Sequence, residues 1–222
     1  MPFSMHSSLQ HAHAQAGLFR PIHYEPRYAY PLLIWLTGDT DIRQPLTQIM
    51  PLLSMRNYVA IDANLVSEKA LQKSQRKSHA RFYIDSLTVD RCISTAFDQF
   101  NLHQDKVFLV GQGSGGEKAI QFAWQQPHRF AGVISVDGGV PRNSTALCSL
   151  GINHRELPLL IQHSSKAIHY SHQRFCDDMR LCHTAGLPAT FRYYRNERDD
   201  LSHILADCNR WLMDLVANNL VQ

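Results

Sequence analysis

The chain has 222 residues, 44% of them hydrophobic and 18% charged, with a formal net charge of +3. That length suits one substantial core and is short for two α/β domains, so a single domain over residues 18–222 is expected behind a flexible arm over residues 1–17. The charge is too mild for nucleic acid to be the main partner, and no apolar run reaches transmembrane length.

Residues 1–17 are rich in His, Ser, Gln and Ala and lack apolar periodicity, as a mobile arm does. Ala14 and Ala16 resemble a small-residue cleavage site, but no hydrophobic stretch precedes them. From Leu18 onward, strand-like runs alternate with amphipathic helical patterns. Pro31 to Leu36 and Tyr58 to Asp62 read as strands. The stretch 68–81 then carries Lys69, Lys73, Arg76, Lys77 and Arg81; it reads as a solvated charged face or as a basic lid. A helix follows over Leu87 to Phe100, then a strand over Val107 to Val110, a helix over Gly115 to Gln125 and a strand over Ala131 to Val136. Leu157 to Gln162 and Thr190 to Tyr194 complete the strands, with helices over His172 to Ala185 and Ser202 to Leu220. The strands are short, nearly continuous in apolar residues and often β-branched, which suits burial on both faces. Such alternation predicts an α/β protein with a doubly wound, mainly parallel sheet flanked by helices, its working groups in loops at the carboxyl ends of the strands.

The segment Gly111-Gln112-Gly113-Ser114-Gly115 joins a buried strand to a helix. In a serine-hydrolase elbow, G-x-S-x-G, the serine occupies the strained tip. Here Gly113 stands at that tip and should adopt a positive φ, while Ser114 falls where the helix begins. The Ser114 hydroxyl reads either as a helix cap or as a displaced nucleophile.

Three segments together resemble the α/β-hydrolase fold, and more narrowly the phospholipase/carboxylesterase family that includes acyl-protein thioesterases. They are YPLLIWLTG at 30–38, VFLVGQGSGGEKAIQFAWQQPHRFAGVISVDGG at 107–139, and LPLLIQHSSKA at 157–167 followed by ADCNRWLMDL at 206–215. The resemblance covers about residues 28–220 and implies a Ser/His/Asp hydrolase of esters or thioesters. Carried over residue by residue, it puts Gly113 at the nucleophile position. Ala167 falls where the acid belongs, and Arg198 or Asp199 where the general-base histidine belongs. Its oxyanion site would be built from the backbone of Thr37, Gly38 and Ser114. Every recognisable catalytic side chain is therefore substituted, which implies a degenerate hydrolase that binds a small acyl or anionic ligand or a protein partner.

An active alternative can be assembled from other residues. Ser114 would be the nucleophile, His203 or His163 the base, and Asp137, in Val-Asp-Gly-Gly, the acid. Asp137 reads equally as a turn residue ahead of Gly138 and Gly139. His163, His169, His172, His183 and His203 lack acidic or thiolate neighbours at metal-site spacing, so neither a metal nor a cofactor is called for. Five cysteines without a close pair read as reduced, buried thiols of a cytoplasmic protein.

Overall fold

The computed structural model describes residues 17–38, 45–64, 86–142, 156–195 and 201–218. Residues 1–16 of the expected arm, the basic segment 68–81, Arg198 and Asp199 lie outside the described residues. Seven strands form one sheet: β1 (Leu18–Phe19), β2 (Tyr30–Thr37), β3 (Val59–Asp62), β4 (Leu102–Gln112), β5 (Gly132–Val136), β6 (Leu159–Ser164) and β7 (Ala189–Tyr194). Their spatial order is β1-β3-β2-β4-β5-β6-β7, with β1 antiparallel to β3 and every other pair parallel.

Helices α1 (Leu46–Leu53), α2 (Ser86–Phe97), α3 (Ser114–Gln125), α4 (His172–Ala185) and α5 (Leu201–Asn218) cover the two faces. The continuous apolar strands follow from this double coverage. Leu32, Ile34 and Leu36 of β2 share a core with residues of α2, α3 and α4, whereas Leu33 and Trp35 share one with α1 and α5. Successive residues point to opposite faces, so a strand buried on both sides cannot alternate with polar residues.

Three of the helices read from the pattern end within two residues of the expected places, and α4 shows why. Ser171 accepts the Arg174 N–H at 3.2 Å as N-cap, and Gly186 closes the helix in the left-handed region with φ 67°. The helix read from Leu87 stops earlier, as α2, at Phe97. Two elements escaped the pattern. β1 is only two residues long. α1 contains Pro51, although Leu46, Ile49, Met50 and Leu53 are spaced as one buried helix face. β4 also begins five residues before the expected strand, at Leu102, beyond an irregularity in its pairing with β2 between Tyr30 and Leu32.

The order of strands reverses between β2 and β4: the chain leaves β2 for β3 on one side and returns to β4 on the other. Their carboxyl ends, Thr37 and Gln112, are paired in register. This is the switch point where such sheets open a crevice. Here α3 approaches the sheet at backbone distance. A Cβ on Gly111 would overlap the Gly115 carbonyl, one on Gly115 the Leu36 carbonyl, one on Gly116 the Ser135 hydroxyl, and one on Gly138 the Gly113 carbonyl.

Gly115→Ala tests this contact by the sign of its effect. In an unhindered helix the change stabilises by about 1 kcal/mol. Here the added methyl meets the backbone of Leu36 and Thr37, so chemical denaturation should show a net loss of about 1–3 kcal/mol.

Candidate functional site

Gly113 stands between β4 and α3. Its N–H completes the ladder by donating to the Val136 carbonyl at 2.8 Å, and its own carbonyl accepts from Gly116 N at 3.1 Å to start the helix. Making that reversal in one residue requires φ 54° and ψ −127°. The expected positive φ is present, in a region that glycine enters freely and other residues enter only with strain.

Ser114 is the first residue of α3 and is exposed. The N-cap is Gly113, and α3 has no side-chain cap hydrogen bond, so the cap role expected of Ser114 is corrected. The reason is positional: a hydroxyl caps from the residue before the helix, and that residue has no side chain.

Asp137 follows β5 with φ 52°, a strained value for a residue with a side chain. Its carboxylate accepts from Ser164 N at 2.6 Å and from Ser164 Oγ at 2.9 Å, bracing the ends of β5 and β6 against each other. Next to Ser164, His163 has a side chain only 4% exposed, with Nδ1 3.8 Å from Asp137 Oδ1. That separation is beyond a hydrogen bond, and Nδ1 has no partner. The ring packs among Tyr170, His172, Phe175 and Tyr193, with centroids 5.2 to 6.0 Å away. Burial pulls its pKa below the ordinary 6.5; Asp137 opposes the shift and His172 adds to it.

Thr37, at the end of β2, is 2% exposed. Its N–H donates to Asn64 Oδ1 at 3.2 Å and its carbonyl accepts from Asn64 Nδ2 at 3.2 Å, so the Thr37 amide is already engaged. The Thr37 hydroxyl is buried and has no hydrogen-bond partner. Gly38 follows it, buried, and ends the described stretch.

A second polar group fixes the loop after β5. Asp178 of α4, fully buried, accepts from Val140 N at 2.9 Å and Tyr170 Oη at 3.0 Å and pairs with Arg142. Arg174 spans from Glu117 of α3, at 3.0 Å, to the Val140 carbonyl, at 3.2 Å. A side chain on Gly139 would collide with Arg174, Asp178 and Tyr170, all 2.8 Å from its Cβ position.

The structure thus brings Gly113, Asp137, His163 and Thr37 to the carboxyl ends of neighbouring strands. Ala167 is half-buried against the core, and its N–H donates to the Ser164 carbonyl at 3.1 Å. His203 is exposed in the first turn of α5. His163 and His172 stack, while His169 and His183 are exposed. Among the described residues, no three His, Cys, Asp or Glu side chains gather as metal ligands. Cys92, Cys182 and Cys208 are buried free thiols whose pKa values burial raises to about 12. Ser164, Asn64 and Asp178 were not anticipated. Ser164 alone had a signal, as a hydroxyl directly following a strand-end histidine.

No protein-family model matches the chain, and no curated protein matches it in sequence. Solved structures do match in shape. A ferulic acid esterase superposes with a TM-score of 0.63 at 12% identity, over 89% of this chain and 90% of that one. Fluorophosphonate-binding serine hydrolase F of Staphylococcus aureus (FphF) gives 0.62 at 13%, over 90% and 91%. A thermostable esterase gives 0.57 at 15%; the match covers 89% of this chain but only 58% of the esterase. With the sheet order and the flanking helices, these likenesses define an α/β-hydrolase fold.

The buried imidazole sets a pH dependence. Unfolded His163 takes up a proton near pH 6.5, and the folded form only at lower pH. Its contribution is therefore intact above 6.5 and lost as pH falls below it. Denaturation midpoints of wild type and His163→Phe, measured from pH 7.5 down to 5, should show the wild type losing stability more steeply below 6.5.

Proposed function

We propose that this chain is a degenerate α/β hydrolase of the phospholipase/carboxylesterase type, a single domain that binds a small acyl or anionic ligand without forming an acyl-enzyme. The observation that carries this reading is Gly113: the apex that would present a nucleophile has φ 54° and ψ −127° and no side chain. This is the elbow position of G-x-S-x-G hydrolases, where a serine is held under strain. With glycine there, about 1–3 kcal/mol of backbone strain is relieved and no hydroxyl remains to attack.

Ligand binding at the same place is supported by what surrounds Gly113. The first amides of α3 precede any intrahelical partner and favour negative charge. Beside them, at the end of β2, the Thr37 hydroxyl is buried without a partner, an arrangement that normally costs stability unless something else satisfies it. Gly38 and Ser114 would contribute backbone donors, while the Thr37 amide is committed to Asn64. A protein partner could deliver the acidic or acyl group as readily as a free ligand. Four free cysteines among the described residues fit a cytoplasmic setting, and none of the described helices is long and apolar enough to cross a membrane.

One observation favours the active alternative. His163 Nδ1 lies 3.8 Å from the Asp137 carboxylate, which places an imidazole and an acid side by side but short of the hydrogen bond a base and its orienting acid share. In that reading Ser114 is the displaced nucleophile, with His163 or His203 as base. Against it, Asp137 is already engaged by Ser164 through both carboxylate oxygens, and the His163 nitrogen facing Asp137 is buried without a hydrogen bond.

The two readings separate in a labelling experiment. The purified protein should not be labelled stoichiometrically by a fluorophosphonate probe, and it should hydrolyse short p-nitrophenyl esters no faster than a nonspecific protein control. Ser114→Ala should leave stability within about 0.5 kcal/mol, as an exposed, uncapped surface position does. Gly113→Ser should destabilise by about 1–3 kcal/mol through its backbone and still yield no efficient esterase. Stoichiometric labelling at Ser114, abolished in Ser114→Ala, would establish the displaced nucleophile instead.

A further inference from the structure

At the opposite end of the sheet from Gly113, the chain entering β2, the turn before β3 and the last turns of α5 enclose a cleft of about 310 Å³. This lies at the lower end of the roughly 300–1,000 Å³ found for small-molecule sites, enough for a ligand of a single ring. Nothing in the proposed function uses it.

Its aromatic wall is rigid. Tyr30 is buried, stacks on Tyr24 at 5.1 Å and accepts the Glu25 N–H through its hydroxyl at 3.1 Å. Tyr28 stands edge-on to Tyr30 at 4.7 Å and yet is 52% exposed, a held ring with open surface. The loop beside it is strained: His23 has φ 57°, the other non-glycine residue besides Asp137 to do so among those described. Ile22 N, donating to the Met55 carbonyl at 2.8 Å, ties that loop to the segment carrying Arg56. Non-glycine residues held at positive φ gather where a loop presents groups to a ligand.

The charged groups give the cleft a chemical preference. Arg56 is exposed and makes no ion pair among the described residues, and Glu25 makes none either. Asn57 directs its amide nitrogen to Met213 Sδ at 3.4 Å. A guanidinium and an open tyrosine ring lining the same cleft match a carboxylate carried on a flat ring, paired through the carboxylate and packed through the ring. Glu25 on the same rim disfavours a second negative charge and offers an acceptor to a ring hydroxyl.

We infer that this amino-end cleft is a binding site for a small aromatic monocarboxylate, held by Arg56 and Tyr28 and independent of the site at Gly113. The test uses 4-hydroxybenzoate as probe, with amide chemical shifts of the full-length protein recorded during titration. Saturable shifts centred on His23, Tyr28, Arg56 and Asn57 are expected, with a dissociation constant on the order of 1 mM or tighter. The neutral analogue 4-hydroxybenzamide should bind at least about tenfold more weakly, and Arg56→Gln should weaken the acid by a similar factor while leaving the amide unchanged. Tyr28→Ala should weaken both. Because Arg56 and Tyr28 are exposed, neither change should impair folding, and Gly113→Ser should not alter binding. The absence of saturable shifts, equal binding of acid and amide, or shifts centred on Thr37 and Gly113 would each overturn the assignment. The last result would leave the reading of the carboxyl-end site standing.

Discussion

The first turn of helix α3 meets the sheet through backbone, while Ala119, Ile120, Ala123 and Trp124 further along pack their side chains into the core. Gly111, Gly115 and Gly116 lie so close to their neighbours that any Cβ would overlap a main-chain or Ser135 atom. The loop after β5 joins the same contact, since Gly138 lies against the Gly113 carbonyl. Glycine at these places is what permits the carboxyl ends of β2, β4 and β5 to lie this close to the start of α3. Gly111 and Gly115, the two flanking glycines of the motif, are in this sense packing residues whether or not a nucleophile stands between them.

Gly113 differs from these. Its φ of 54° and ψ of −127° are set by the strand on one side and the helix on the other. Its N–H belongs to the sheet and its carbonyl to the helix, so the conformation is dictated by two hydrogen-bonded elements and not by the side chain. A serine would have to endure that conformation, whereas a glycine does not.

Polar groups around this point are used mainly to hold loops. Asp137 is committed to Ser164, Asp178 to Val140, Tyr170 and Arg142, and Thr37 to Asn64 through its main chain. Among the buried atoms without a hydrogen-bond partner, which include Trp35 Nε1 and Arg174 Nε, the Thr37 hydroxyl and His163 Nδ1 stand at the carboxyl ends of strands. Buried polar atoms without partners are rare enough that they point to where a ligand group or solvent belongs. The amino-end cleft has the opposite character, with its charged groups at an exposed rim around a tyrosine ring held by its neighbours.

Much of this architecture was legible in the chain because it depends on local pattern. The apolar runs of β2 to β6 are continuous since both faces are covered, and α4 carries its own start and stop in Ser171 and Gly186. Gly113's positive φ was legible too, because it stands at the tip position of a G-x-S-x-G-like turn between a strand and a helix. β1 and α1 were not, since a two-residue strand has no period and Pro51 obscures a helix that packing enforces. The engagement of the Thr37 amide by Asn64, 27 residues away, and the bracing of Asp137 by Ser164, also 27 residues away, left no mark in the local sequence. Periodicity and turn chemistry act over a few residues and can be read along the chain. Which donor meets which acceptor is decided only when distant strands come into register, and that register belongs to the tertiary structure.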